Sequence, residues 1–252
     1  MNEVLAITLR SMQIDMAKVD RVALNLANAQ TAGYKREVLA PAAFSHSIAA
    51  ASGQAALHGP APMAVQVDQR PGTLRSTGGT LDVALTGPGW FEVQTDSGIA
   101  YTRQGSFHLD AQGRLVTQAG QPVLGVSGEI QLPHDHPVID AQGRVFEGNL
   151  PGGAPAVGSQ QPIAQLKVVQ FEGKAPVQRL GNGLVAVTGE VLAAPDGSTE
   201  VRQGYLENSN VSSMQEMLQL MQTMRHFESM QKTAMGYDDL LGTAIRKLGD
   251  TT

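Results

Sequence analysis

Between residues 5 and 26 the apolar side chains fall at Leu5, Leu9, Met12, Met16, Val19, Ala23 and Leu26, an unbroken alternation of four and three. That spacing leaves little choice besides a helix that packs lengthwise on another helix along a narrow stripe. Glu3, Arg10, Asp15 and Lys18 interrupt the run, so it is neither a buried core helix nor the uninterrupted apolar stretch of a secretory signal. No stretch reaches the ~18 apolar residues of a membrane-spanning helix, so no membrane insertion is expected. From Glu3 to Asn28 the helix would extend about 39 Å, and it requires a partner.

The candidate partner follows SNVSSMQEML near the other end. Asn210, Ser212 and Ser213 are all suitable N-caps, and Ser213 with Glu216 has capping-box spacing. Beyond them Met217, Leu220, Met224, Phe227, Ala234, Leu241, Ile245 and Leu248 recur at threes, fours or their sums, with Met214, Leu218 and Met221 widening the stripe. Gln231 and Asp238 weaken this seam, and Gly236 and Gly242 are expected to bend or fray the last turns.

Between the two helices the period changes to two. LDVAL, WFEVQ, FHLD, RLVT, QLKVVQF and GLVAV read as short antiparallel strands, and the 28 Gly and 13 Pro of the 252 residues supply the turns between them. LDAQGRLV (109–116) recurs as IDAQGRVF (139–146), which predicts the same hairpin turn twice, with the glycine at positive φ. Residues 36–72, rich in Ala, Ser, Gly and Pro, read as an extended arm lying against something else. The expected fold class is therefore α+β. Terminal helices 1–35 and 205–252 pair as a coiled-coil-like assembly domain, with the arm 36–72 and an antiparallel β-rich domain 73–204 between them.

Chemistry is poorly supported. A formal net charge of -5 gives no basic stripe, so nucleic-acid binding is not expected. With no cysteine there is no disulfide, thiolate metal site or cysteine nucleophile. His134 and His136 in PHDHP lack a third ligand in sequence, so no metal site is predicted. GVSGE (125–129) fails the nucleophile-elbow pattern at Glu129, and Gly87-Pro88-Gly89 and Gly181-Asn182-Gly183 resemble phosphate loops only in composition. Asp82, Glu92, Asp96 and Asp110 could include a carboxylate pair but read better as strand edges and turns. No catalytic residue and no cofactor are expected.

The methionines are more informative, since six of the ten lie between Met214 and Met235. On helices too polar to be core, they suit an adaptable interface with partners of differing geometry. Two heptad-bearing termini around a β-rich middle resemble the axial proteins of the bacterial flagellum. Asn25-Leu26-Ala27-Asn28 followed by Thr31, Gly33 and Tyr34 is similar to that family's N-terminal rod signature. GTLRSTGGTLDVAL, GWFEVQ and YTRQGSFHLDAQGRLVTQAG (72–120) resemble the β-domain block of rod and hook proteins, and GYLENSNVSSMQEM (204–217) resembles the lead into their C-terminal helix.

The resemblance implies a non-catalytic structural subunit of the basal-body rod. Leu5, Leu9, Met12, Met16, Val19, Leu26, Met214, Met217, Leu220, Met221, Met224, Phe227 and Leu241 would form its assembly interface. Asn25, Asn28, Thr31, Gly33 and Tyr34 would form a corner that turns the chain out of the helix. It further implies other rod subunits as partners, passage through the flagellar type III export apparatus without signal cleavage, and proximity to peptidoglycan and the basal-body rings. Trp90 after LDVAL and the Arg225-x-Phe227-Glu228 run with Lys232 are similar to the proximal rod class, while Gly33-Tyr34-Lys35-Arg36 fits the distal class equally well. A distal rod or hook role stays open, as does a peptidoglycan-binding or glycan-cleaving module on the β domain.

Overall fold

Successive residues of a strand face opposite sides of its sheet, and in Trp90–Thr95 this sends Phe91 and Val93 into one apolar cluster and Trp90 into another. The structure, a computed structural model, describes residues 2–40, 64–148, 161–171, 177–187, 189, 191–195 and 197–249. The chain divides into two compact units, Met1–Ala27 with Val211–Thr252, and Asn28–Asn210. Two helices at the termini and many antiparallel strands between them make the fold α+β.

The second unit is built on a six-stranded antiparallel sheet with the spatial order Val177–Gly181, Leu184–Val187, Gly98–Thr102, Trp90–Thr95, Val168–Phe171 and Val191–Ala193. One cluster joins Phe91, Val93 and Ala100 to Phe107, Leu115, Val123 and Ile130, with Phe91 and Phe107 edge to face at 5.3 Å. The other holds Trp90, Tyr101, Val169, Val177 and Val185, with the Trp90 ring stacked on Phe171 at 5.4 Å. Glu92, on the Trp90 side of its strand, is buried and accepts a 2.8 Å bond from Lys167.

The duplicated sequence forms the same turn twice. Asp110 Oδ1 accepts from the backbone N–H groups of Gln112 and Arg114 at 2.9 and 2.8 Å, and Arg114 Nε donates to Oδ2 at 2.7 Å. Asp140 repeats this with Gln142 and Arg144 at 3.0, 2.8 and 2.7 Å. Gly113 and Gly143 both have φ 75°. These Asx turns replace chain-reversal bonds that a longer loop would need from elsewhere.

Three boundaries differ from the sequence expectation. The segment 36–72 contributes a strand pair, Glu37–Ala40 against Ala64–Val67, while residues 41–63 of the expected arm lie outside the described residues. Asn28 to Lys35 group with the β unit and not with the helix. The β unit also extends past 204, because Tyr205–Glu207 pairs with Leu74–Ser76 and carries a buried carboxylate on which the unit's interior depends.

In the first unit, α1 (Asn2–Ala27) and α2 (Ser213–Gly249) run antiparallel. Asn25 Nδ2, near the end of α1, donates to Glu216 Oε2 in the first turn of α2 at 3.3 Å, and Asp15 Oδ2 meets His226 Nδ1 at 2.5 Å. The first helical bond of α2 runs from Glu216 N to Ser212 O, which makes Ser212 the capping residue of the three candidates. Helix α2 continues through Gly236 and Gly242.

Candidate assembly surface and corner

Among the described residues the buried positions of α1 recur every seven residues at Thr8, Asp15 and Val22, with Asn25 three further on; on α2 they are Glu216 and Thr223. This stripe lies one residue away from the apolar seam read in the sequence. Met12, Val19, Leu26, Leu220 and Phe227 are half-buried beside it, whereas Leu5, Leu9, Met16, Met214, Met217, Met221 and Met224 are exposed, Leu9 at 51% and Met16 at 60%. Leu241 lies in α2, and its side chain is outside the described residues. Among the described residues the covered side chains of both helices are thus polar apart from Val22, amide meets carboxylate and carboxylate meets imidazole between them, and seven of the long apolar side chains of the seam face solvent. The sequence reading missed Asp15, Asn25, Glu216 and His226 as contacts between the helices. The signal available was a single acidic residue at the heptad spacing of Thr8 and Val22.

The corner is held by local bonds. Thr31 N donates to Asn28 O at 3.1 Å, Thr31 Oγ1 to Asn28 Oδ1 at 3.2 Å, and Tyr34 N to Thr31 O at 3.3 Å. Gly33 has φ 69°, and a Cβ there would stand 2.4 Å from Gln104 N, so the site excludes a side chain by conformation and by space. Tyr34 is buried with the Arg179 guanidinium 4.0 Å above its ring. Asn25, counted with the corner in the sequence, instead faces Glu216 within the helical unit.

Behind the corner is a charged interior that sequence did not single out. Glu207, fully covered, accepts from Lys35 Nζ at 2.5 Å and Gly72 N at 2.7 Å through Oε1, and from Arg103 Nη1 at 3.1 Å through Oε2. Lys35 also donates to Arg70 O at 2.8 Å, and Arg103 Nη2 to Gly87 O at 2.8 Å. Among the described residues Arg103 Nε is buried with no hydrogen-bond partner. Burial pushes the Lys35 ammonium below its ordinary value and does the same to Arg103, with Glu207 opposing both shifts. Glu37, also buried, is paired with Arg179. Lys35 lies in the Gly33-Tyr34-Lys35-Arg36 run, Arg103 in YTRQGSFHLDAQGRLVTQAG and Glu207 in GYLENSNVSSMQEM, and this placement in three family-like motifs was the signal available.

His134, Asp135 and His136 form an exposed loop, and among the described residues no cluster of three or more His, Cys, Asp or Glu could hold a metal. No described helix is long and apolar enough to cross a membrane.

Comparison with known proteins agrees with this anatomy. Residues 84–146 match the family described as the flagellar hook protein FlgE/F/G D1 domain, and residues 202–247 match the flagellar basal body rod FlgEFG protein C-terminal family. The flagellar basal-body rod protein FlgF of Salmonella typhimurium is 33% identical over 233 residues, covering 90% of each chain. The Escherichia coli K12 FlgF is 34% identical over 234 residues, again 90% of each. The flagellar basal-body rod protein FlgG of Buchnera aphidicola subsp. Schizaphis graminum is 32% identical over 256 residues, 92% of this chain and 94% of that one. The chain belongs to the flagellar FlgE/F/G family of hook and basal-body rod proteins.

Proposed function

We propose that this chain is a structural subunit of the flagellar basal-body rod, assembled through coiled-coil-like seams between its terminal helices and those of neighbouring subunits. The observation that carries this reading is the packing of the helical unit, where among the described residues every buried side chain but Val22 is polar while Leu5, Leu9, Met16, Met214, Met217, Met221 and Met224 are exposed. An ordinary helical hairpin does the reverse. Each half-exposed Leu or Met, once covered, contributes on the order of 1 kcal/mol, and contacts that repeat head to tail without closing a ring extend into a helical tube. The subunit carries out no catalysis. It reaches the basal body through the flagellar export apparatus with its N-terminus retained, and there it lies near peptidoglycan and the rings.

The proximal class is favoured over the distal by Trp90 and by the Arg225-x-Phe227-Glu228 run. Similarity to FlgF and to FlgG relatives is nearly equal, so these residues carry the distinction. Cryo-EM of basal bodies from cells producing a labelled subunit tests both levels. Density in the proximal rod is expected. Density in the distal rod would overturn the class, and absence from the axial structure would overturn the rod assignment.

A further inference from the structure

The β unit is closed by its own last residues. Glu200–Gln203 pairs with Val83–Thr86, and Tyr205–Glu207 with Leu74–Ser76. Gly33 N donates to Glu207 O at 2.7 Å, and Asn210 N to Tyr34 O at 3.3 Å. Asn210 Oδ1 accepts from Arg36 N at 2.7 Å, while its Nδ2 donates to Asp68 O and Arg70 O at 3.0 and 2.9 Å. Gln203 joins Thr80 and Pro137 through its amide, both at 2.7 Å.

Eleven consecutive residues, 200–210, thus tie the corner, the strands near 70–87 and the loop at 137–139 into one body. They also deliver the one carboxylate that faces two buried cations, with Lys35 and Arg103 side chains each 2% exposed. Without Glu207, closing the unit would bury an ammonium and a guanidinium beside each other with no carboxylate between them, which burial strongly opposes.

We propose that residues 200–210 are a closing strap, and that the β unit cannot adopt its folded state until this strap arrives. Because synthesis runs from the N-terminus, every strand between Glu37 and Ala193 exists before the strap does. The cation pair Lys35 and Arg103 therefore holds the incomplete chain open, and the β unit folds only once nearly all of its sequence is present. This folding order is independent of what the subunit assembles into.

Trp90, the only tryptophan in the chain, is buried with its ring 5.7 Å from the Arg103 guanidinium and reports closure by fluorescence. The test compares denaturant unfolding of the full chain with chains ending at Asn210 and at Thr199. The chain ending at Asn210 is expected to keep the cooperative Trp90 transition and the chain ending at Thr199 to lose it. Cooperative folding of the shorter chain, or loss of folding in both, would overturn the strap. In the full chain, Glu207→Gln is expected to lower the folding equilibrium constant roughly a hundredfold. Lys35→Met, which leaves Arg103 and Glu207 as a matched pair, should lower it only about tenfold. An equal or larger loss in Lys35→Met would overturn the assignment of Glu207 as the charge that permits closure.

Discussion

In Asn28–Asn210 the fully covered side chains include Phe91, Val93, Leu115, Val123, Ile130 and Val145, and the few buried charges meet partners within the same unit. Among the described residues of the helical unit the covered side chains are Thr8, Asp15, Asn25, Glu216 and Thr223 with Val22, while Ile7, Leu9, Met16 and a row of methionines on α2 face outward. Both units come from one sequence with one overall composition, so the difference lies in what each is complete with. A unit whose apolar residues are already buried folds by itself. One that buries polar groups, each worth only about 1 kcal/mol net, is marginal until something covers its outer faces.

The largest effect is expected inside the β unit. Phe91→Ala empties the place where its ring meets Phe107 and should cost about 3–5 kcal/mol in denaturant unfolding followed through Trp90. A loss below about 1 kcal/mol would mean that the cluster is not a packed core. The matching change on the helices should leave that transition untouched. Leu9→Asp and Met224→Asp each put a carboxylate on an exposed apolar face, so the monomer's thermal unfolding should be unchanged. Covering that charge in an assembly costs on the order of 2–3 kcal/mol per contact, and incorporation and motility should be lost while secretion of the subunit continues. A destabilised monomer that still assembles would show that these faces belong to an intramolecular core.

A smaller effect tests whether the polar interior keeps the helix pair marginal. Replacing Asp15 and His226 together by leucine removes a covered carboxylate from its contacts with the half-exposed His226 imidazole and with Lys18 and substitutes apolar packing, an exchange that for covered charges is often neutral or stabilising by about 1 kcal/mol or more. Helical content of the free subunit by circular dichroism should rise. A fall would show that the Asp15–His226 contact is what holds the pair together.

Periodicity made the two helices legible, along with most strands of the central region, because a period of 3.5 or of 2 survives in sequence without knowledge of the partner. Gly33 was legible as a corner because local turn chemistry surrounds it, although its close approach to Gln104 was not. The helix contacts were misjudged by one position. Seven-residue spacing fits Thr8, Asp15 and Val22 as well as Leu9, Met16 and Ala23, and hydrophobicity alone selects the stripe that the monomer leaves exposed. Glu207 was hidden for another reason. Its partners lie 172 and 104 residues away, and no local pattern marks a charge that long-range pairing will bury. The same pairing is what carries the β unit past residue 204.

The smallest expected effect separates surface charge from the buried charges of the β unit. Asp68 accepts from the Arg70 backbone N–H at 3.1 Å and from its guanidinium at 2.5 to 3.0 Å. The Arg70 side-chain hydrogen bond holds the Asp68 carboxyl below its ordinary 3.8 in spite of partial burial. A carboxyl depressed in the folded state binds its proton more tightly when unfolded. Its contribution to stability is therefore fully present above about pH 3.8 and disappears as pH falls through the lower folded value. Arg70 is largely exposed, so solvent screens the pair and the contribution is small. Asp68→Asn should lower the β unit's melting temperature slightly at pH 7, and the gap from the parent chain should close as the pH is taken below 3.8. Thermal unfolding of both chains across that range measures the difference directly, since every other titrating group is common to them. A gap that widened in acid would mean that Asp68 is stabilised as the protonated acid. A gap as large as that produced by Glu207→Gln would mean that exposure is no guide to which charges in this unit matter.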